Sequence, residues 1–413
     1  MTDKYFRDLG LADPLNRALK NAGLKTPTPI QAQAIPVGLG GHDLLGIAQT
    51  GTGKTAAFTL PILQHLLTHK KQAPGKAARA LILAPTRELV LQIGETLKTL
   101  SRDSGLTHAV VMGGVSIRTQ INAVRRGVDV LIATPGRLID LVDQRHLNLE
   151  HTRFLVLDEA DRMLDMGFIR DVRKIVAELP VKRQTLFFSA TMPGSVEKLA
   201  AEILNEPKRV EIAAKSVAVE RIEQSVHHVE KAAKRAKLTE LLEDADMDRV
   251  IVFTRTKHGA DKVVRNLKQA SIRAEAIHGN KSQGQRQRSL DNFRKGRIRV
   301  LVATDIASRG IDVDHVSHVI NYELPNEPES YVHRIGRTAR AGAEGVAISL
   351  CSSDERAYLR DIEKLIKRPL KAIGDVPVEL VKGNEGKPGR NGRSSGAPKR
   401  RRRRFRRPAQ KAA

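Results

Sequence analysis

Aromatic and sulfur-bearing side chains are the scarcest. Of 413 residues only 3% are aromatic, none is tryptophan, and one is cysteine, Cys351. A single thiol excludes an internal disulfide and any cysteine-based metal cluster, and its expected state is a buried, inert side chain. The histidines are scattered. His227 and His228 stand at no spacing from cysteine or carboxylate that would build a zinc site, so they read as surface or packing residues. No run of about 18 apolar residues offers a helical membrane span. The opening stretch, Met1 to Asp8, is too charged for a secretory signal. These absences predict a cytoplasmic chain without a membrane partner. Acidic residues are also under-represented: 46 Asp and Glu stand against 71 Lys and Arg, a formal net charge of +25.

The charge is unevenly placed. Residues 382–413 hold 13 Lys and Arg against one Glu, a net of +12, which leaves +13 for the preceding 381 residues. A basic tail on a moderately basic body points to a polyanion partner, nucleic acid first among them. Gly383 to Pro398 is rich in Gly, Ser, Pro and Asn, and Lys399 to Arg404, Phe405, Arg406 and Arg407 follow. Such a segment buries too little apolar surface to fold, so disorder is expected from residue 376 onward. By itself the Arg-rich run reads as an RNA anchor, a site for acidic proteins or a nuclear address.

Apolar residues make up 40% of the chain, and the length suits two or three domains with their own cores. The chain is organised around Ala48-Gln49-Thr50-Gly51-Thr52-Gly53-Lys54-Thr55. This stretch follows the apolar run Leu44 to Ile47 and precedes the helix-like Ala56 to Leu60. Strand, glycine-bearing loop, Lys-Thr and helix is the arrangement that wraps backbone N–H groups around phosphates. The helix N-terminus adds its partial positive charge. Lys54 would reach the outer phosphates and Thr55 would coordinate magnesium.

Nearly continuous apolar runs recur downstream, at 80–85, 128–134, 154–158 and 185–189. They read as parallel strands covered on both faces, with crossover helices between them. From Glu206-Pro207-Lys208 the pattern becomes a polar, strand-poor connection. Alternation then restarts, with strands at 249–254, 300–305, 318–322 and 345–350 but no second Gly-Lys-Thr loop. Gly279-Asn280-Lys281-Ser282 reads as a plain loop. The chain is thus predicted to be α/β, with two doubly wound parallel-sheet domains and one phosphate loop. The boundaries read as a leader over 1–35, a nucleotide-binding domain over 36–206, a linker over 207–219, a second domain over 220–375 and the tail over 376–413.

A phosphate loop needs a second magnesium ligand at the end of a neighbouring strand. Phe154 to Leu157 ends in Asp158-Glu159-Ala160-Asp161. Asp158 is placed to hold the ion through its water shell, and Glu159 to orient or deprotonate an attacking water. A charged strand-to-helix turn is the plain alternative.

The Asp-Glu-Ala-Asp order, with the segments around it, resembles the DEAD-box RNA helicases over about residues 5 to 370. That resemblance implies two tandem RecA-like domains, ATP and Mg2+ as cofactors, and RNA, single-stranded or in short duplexes, as partner. Gly23 to Gln31 is similar to the family's adenine-reading segment, with Gln31 on the base edge and Phe6 stacking nearby; Leu24 stands where many members carry an aromatic. Pro85-Thr86-Arg87, Gly113-Gly114 and Thr134-Pro135-Gly136-Arg137 are similar to three RNA-backbone segments. Ser189-Ala190-Thr191 is similar to the motif coupling hydrolysis to strand separation; alone, Ser189 and Thr191 would read as strand-end caps. In the second half, Val252-Phe253-Thr254 and His278-Gly279 with Gln285 and Arg288 resemble further RNA or support motifs. Thr304, Asp305 and Arg309 fall in a segment touching RNA, and Asp312 in the part touching the ribose. His333-Arg334-Ile335-Gly336-Arg337-Thr338-Ala339-Arg340 resembles the arginine-finger motif. It implies Arg337 and Arg340 facing the γ-phosphate with His333 in support. Arg334, Arg337 and Arg340 could instead form one exposed basic helix face on RNA phosphate.

Stretches such as Phe253 to Gly259 and Ile277 to Gly284 resemble the bacterial RhlE-type branch. The implied activity is RNA-stimulated ATP hydrolysis, driving unwinding of short duplexes or remodelling of RNA–protein complexes. The basic tail would hold ribosomal or other structured RNA. An ATP-gated RNA clamp shares every motif, and a DNA-translocating helicase shares the double-domain plan.

Overall fold

The computed structural model describes residues 5–49, 51–212, 222–244, 246–305, 313, 316–339 and 344–374. Thr50, Arg309, Asp312, Arg340 and the tail from 375 therefore lie outside the described residues, as does 213–219 of the expected linker.

The continuous apolar runs become the inner strands of two seven-stranded sheets. The first contains β1 (Leu44–Ile47), β2 (Ala78–Leu83), β3 (His108–Val111), β4 (Val128–Ala133), β5 (Phe154–Leu157), β6 (Gln184–Ser189) and β7 (Lys208–Glu211). Their order is β3-β4-β2-β5-β6-β1-β7, and every pairing is parallel. The second contains β8 (Ile222–His228), β9 (Val250–Thr254), β10 (Ala274–Ile277), β11 (Val300–Thr304), β12 (His318–Asn321), β13 (Gly345–Cys351) and β14 (Lys371–Ile373). Its order, β10-β11-β9-β12-β13-β8-β14, repeats the first position for position, again with parallel pairs.

Alternation along the strands divides the core. Leu81, Leu83, Leu131 and Ala133 face one apolar layer, and Ala80, Ile82, Val130 and Ile132 face the other. In the second sheet Val250 and Val252 oppose Ile251 and Phe253 in the same way. Two-sided burial is what a parallel sheet under crossover helices requires.

Two local readings change. Lys208–Glu211 is a strand, paired with β1 from Leu44↔Lys208 to Ile47↔Glu211, so the polar connection read from residue 206 begins inside the first sheet. Only Val210 of these four residues is buried, because an edge strand covers one side alone. The helix Pro29–Leu39 crosses the 35/36 boundary without a break. Both sheets belong to one compact unit ending at Gly374.

Candidate nucleotide site and nucleic-acid interface

β1 delivers the chain into the phosphate loop, and Ala48 is fixed at its mouth by donating to Ser189 O at 3.0 Å. Gly51 and Gly53 adopt φ +85° and +90°, after which the helix Lys54–Thr68 starts. Lys54 is buried and donates to Ala48 O at 2.9 Å, and Thr52 donates to Gln49 O at 2.7 Å. Gln31 acts as a strut: its Oε1 accepts from Thr28 N at 2.9 Å, capping its own helix, and its Nε2 donates to Gly53 O at 3.0 Å. A Cβ at Gly53 would lie 2.3 Å from that nitrogen, so the close approach needs glycine.

A cleft of about 250 Å³ opens here, lined among others by Leu24, Gln31, Lys54, Thr55, Asp158, Glu159 and Arg337. Phe6 does not line it; it is buried with Leu15, Ala56 and Leu60 behind the loop helix.

Asp158 follows directly on β5 and is 2% exposed. Burial raises its pKa to about 6, against the pull of Lys54. Glu159 follows at φ 52°, a left-handed conformation that costs a non-glycine residue energy. Burial would raise the Glu159 pKa, but Arg162, Lys54, Arg337 and His333 together hold it below the ordinary carboxylate value. Arg162 Nε lies 3.6 Å from Glu159 Oε2, with both side chains buried. Burial, reinforced by Arg162, pushes His333 down to about 4, so its imidazole is neutral near pH 7.

The sequence reading gave no role to Asp161. Its Oδ2 accepts from Ala190 N at 3.2 Å and from Thr191 N and Oγ1 at 2.9 Å each, while its own N–H donates to Ser189 Oγ at 3.3 Å. Ser189 Oγ in turn donates to Thr191 O at 2.7 Å. The ends of β5 and β6 are thus joined through one carboxylate. The signal was present: Asp161 stands in the first turn of the helix Ala160–Asp165, three residues after Asp158.

Among the described residues no group of three or more His, Cys, Asp and Glu could hold a metal. Magnesium needs none, since one or two protein oxygens plus phosphate and water complete its shell. The Asp158 carboxylate, raised in pKa by burial, and the Thr55 hydroxyl in the same cleft are hard donors that fit it.

From the second sheet, Arg337 reaches the same cleft, 4% exposed, with Nε donating to His333 O at 3.2 Å. Arg334 is 1% exposed and forks onto Asp305 at 2.6 and 2.7 Å. Its remaining nitrogen donates to Asn321 Oδ1 at 3.2 Å and Glu323 O at 2.6 Å. The exposed basic face is therefore ruled out for Arg334 and Arg337: both guanidinium groups point inward. The Asp305 carboxylate, read as an RNA contact, is committed to Arg334, and Thr304 is buried at the end of β11.

The three first-domain segments expected to contact RNA follow the adjacent strands β2, β3 and β4. Thr86 caps the helix Arg87–Leu100, accepting from Leu89 N at 3.3 Å. Pro135 and Thr134 are buried at the head of the helix Pro135–Asp143, whereas Gly136 is exposed. Arg137 donates to Val115 O at 3.1 Å, beside Gly113 and Gly114. In the second sheet, His278 and Gly279 follow the corresponding edge strand β10, and His278 Nε2 lies 3.0 Å from Asp261 Oδ1. Gln285 caps its own helix, Gln283–Arg294, from the Ser282 N–H at 3.0 Å, and Arg288 is exposed. The engaged residues lie two positions earlier: Gln283 donates to Glu88 Oε1 at 3.0 Å and Arg286 to Glu88 Oε2 at 2.7 Å, all three buried.

Known proteins share this arrangement. Residues 28–199 match the DEAD/DEAH box helicase family, and residues 233–342 match the helicase conserved C-terminal domain. A DEAD-box ATP-dependent RNA helicase CshA of Bacillus cereus is 41% identical over 382 residues, covering 92% of this chain and 72% of that one. ATP-dependent RNA helicase CshA of Listeria monocytogenes is 44% identical over 368 residues, covering 89% and 70%. Among solved structures, S. cerevisiae Dbp5 bound to RNA and ADP BeF3 superposes with a TM-score of 0.80 at 31% identity, covering 90% of this chain and 95% of that one. Mss116p bound to ssRNA and AMP-PNP gives 0.81 at 30% identity, covering 92% and 81%. The two sheets form tandem RecA-like domains, and the chain belongs to the DEAD-box ATP-dependent RNA helicases.

Proposed function

We propose that this helicase hydrolyses ATP in the cleft between its two sheets, with RNA bound across both, and so separates short duplexes or remodels RNA–protein complexes. The observation that carries the reading is that Lys54, Asp158 and Glu159 of the first sheet share one cleft with Arg337 of the second. Phosphoryl transfer asks for positive charge where the transition state spreads its negative charge, with little covalent help. In this reading Gln49, Gly51, Thr52 and Gly53 cradle the phosphates by backbone N–H groups, with Lys54 on the outer ones. Gln31 holds the adenine edge. Mg2+, held by Thr55 and Asp158, would neutralise phosphate charge. Glu159, kept ionised by its cationic neighbours, orients the attacking water. Arg337 and Arg340 face the γ-phosphate, and Asp161 relays the state of the site to Ser189-Ala190-Thr191.

Arg87, Gly113, Gly114, Gly136 and Arg137 form the first RNA surface, and Gly279 with Arg288 the second. The +12 tail adds a sequence-independent hold on structured RNA. A 1–381 truncation should bind RNA more weakly and with a shallower salt dependence; unchanged affinity and slope would remove the tail from the account. Residence in the cytoplasm and membership of the RhlE-type branch belong to the same proposal. The branch rests on the stretches at 253–259 and 277–284, and a family tree grouping the chain with CshA proteins would replace it.

The direct test is ATP turnover with and without RNA, in the wild type and in Lys54→Ala, Glu159→Gln, Arg337→Ala and Arg340→Ala. Loss of RNA-dependent turnover in all four is expected, with an arginine finger contributing about a thousandfold. Equal turnover with and without RNA would refute coupling between the two ligands.

A further inference from the structure

Among the described residues the first sheet ends at β3, and no strand pairs with its outer edge. Its C-terminal end runs directly into Met112-Gly113-Gly114-Val115-Ser116, a loop that the Gln120 side chain holds at several points. Gln120, on the helix Ile117–Val124, is 5% exposed. Its Oε1 accepts from Met112 N at 2.8 Å. Its Nε2 faces three carbonyls, Met112 O at 3.1 Å, Ser116 O at 3.3 Å and Val115 O at 3.4 Å. A primary amide is suited to this because it presents an acceptor and two donors from one neutral group.

Both neighbouring segments rest on the same loop. The Arg87 guanidinium lies so close that a Cβ at Gly114, where φ is +77°, would be 2.2 Å from its Nη1. Arg137 donates to Val115 O at 3.1 Å, a carbonyl that Gln120 also approaches. The segments following β2, β3 and β4 thus meet at one piece of backbone, and Gln120 braces it from beneath.

We propose that Gln120 is a positioning residue for RNA, holding the 112–116 loop so that Arg87, the paired glycines and Arg137 present one preformed surface. The inference rests on reading those segments as RNA contacts. Gln120 is too buried to touch RNA itself. Its contribution is preorganisation: a loop already ordered loses less conformational freedom when the strand docks. Without the amide, the loop carbonyls and the Met112 N–H would seek water, and Arg87 and Arg137 would lose a fixed seat.

The test uses the full chain carrying Gln120→Met, which keeps the length of the side chain and removes its hydrogen bonds, and Gln120→Asn, a smaller polar change should the first variant fail to fold. Affinity for a single-stranded oligouridine is measured with a non-hydrolysable ATP analogue over a range of salt, beside the KM for ATP. Expected are a loss of RNA affinity of about tenfold in Gln120→Met, a smaller loss in Gln120→Asn, an unchanged KM for ATP and an unchanged salt slope. The slope stays because no phosphate contact is removed, whereas Arg87→Ala should lower it. RNA affinity within twofold of wild type, with Arg87→Ala still weakened, would overturn the brace and leave the surface intact. Unchanged binding in Arg87→Ala as well would overturn both. A KM for ATP rising in step with the RNA loss would mark a general structural lesion and also overturn the proposal.

Discussion

At Arg334 a guanidinium is almost wholly buried, and each of its nitrogens is answered. Asp305 takes two of them, Asn321 and Glu323 take the third, and Phe253 lies beneath with its ring centroid 5.1 Å from the guanidinium carbon. Lysine offers neither the planar fork nor the stacking face. Asp305→Asn leaves the Arg334 charge uncompensated in the interior and should cost about 3–5 kcal/mol of stability in denaturant unfolding, and Arg334→Lys, which keeps the charge but loses the fork, should cost less. A normal unfolding midpoint in Asp305→Asn, with weakened RNA binding, would return Asp305 to the RNA face. His333 carries a pH prediction. Because burial lowers its pKa to about 4, the unfolded chain takes up its proton near pH 6.5 while the folded chain refuses it. The stability tied to neutral His333 is complete above pH 6.5 and is lost as pH falls toward 4. His65, His108, His227, His228 and His318 are also shifted down, chiefly by burial, so the comparison must be with His333→Gln. Unfolding midpoints of that variant should fall less steeply between pH 6.5 and 4; parallel curves would show that His333 titrates normally.

At the scale of elements, the physics of coverage decides what was legible. β2, β4, β5, β9 and β11 are inner strands buried on both faces, and each stood out as an apolar run. β3, β7, β10 and β14 lie at the edges, where one side needs no apolar cover; β7, β10 and β14 carried no such run, and β3 only the short Ala109 to Met112. β8 was missed for a related reason: Ile222-Glu-Gln-Ser-Val-His-His mixes polar residues into a buried strand, and only β14 lies beyond it. The same limit left the buried pair of this helix, Gln283 and Arg286, unread beside the exposed Gln285 and Arg288. In Gln-Gly-Gln-Arg-Gln-Arg either pair fits the spacing, but Leu290 and Phe293 mark the buried face, and 283 and 286 share it. The phosphate loop was legible because its glycines are dictated by backbone conformation. Gly53 combines φ +90° with the 2.3 Å approach of Gln31 Nε2. The conformation alone costs alanine about 1–2 kcal/mol, so Gly53→Ala should raise the KM for ATP about tenfold or more while leaving nucleotide-free RNA binding unchanged. Equal losses of both ligands would mean that the whole domain, not the loop, is disturbed.

At the scale of the molecule, the two sheets repeat one strand order, so equivalent strand ends carry equivalent loops: the paired glycines after β3 and Gly279 after β10. Glu88 connects the two systems. It sits in the first turn of the helix after β2, beside Arg87, and meets Gln283 and Arg286 in the first turn of the helix after β10. A carboxylate held by a guanidinium at 2.7 Å and an amide at 3.0 Å, in a buried setting, exists only while the two sheets keep this arrangement. If RNA and ATP favour that arrangement, the pair contributes to it and to no other, which is how a contact remote from the chemistry biases a two-state equilibrium. Arg286→Ala should therefore lower RNA-stimulated turnover about tenfold, with a much smaller effect on ATP turnover without RNA. Because the single change also leaves Glu88 buried without its charge partner, the decisive measurement is a double-mutant cycle with Glu88→Gln and Arg286→Gln. A coupling of about 1–3 kcal/mol in RNA-stimulated kcat/KM, absent from RNA-free turnover, is expected. Additive effects would make Glu88 and Arg286 independent packing residues and leave the arrangement of the sheets to the ligands alone.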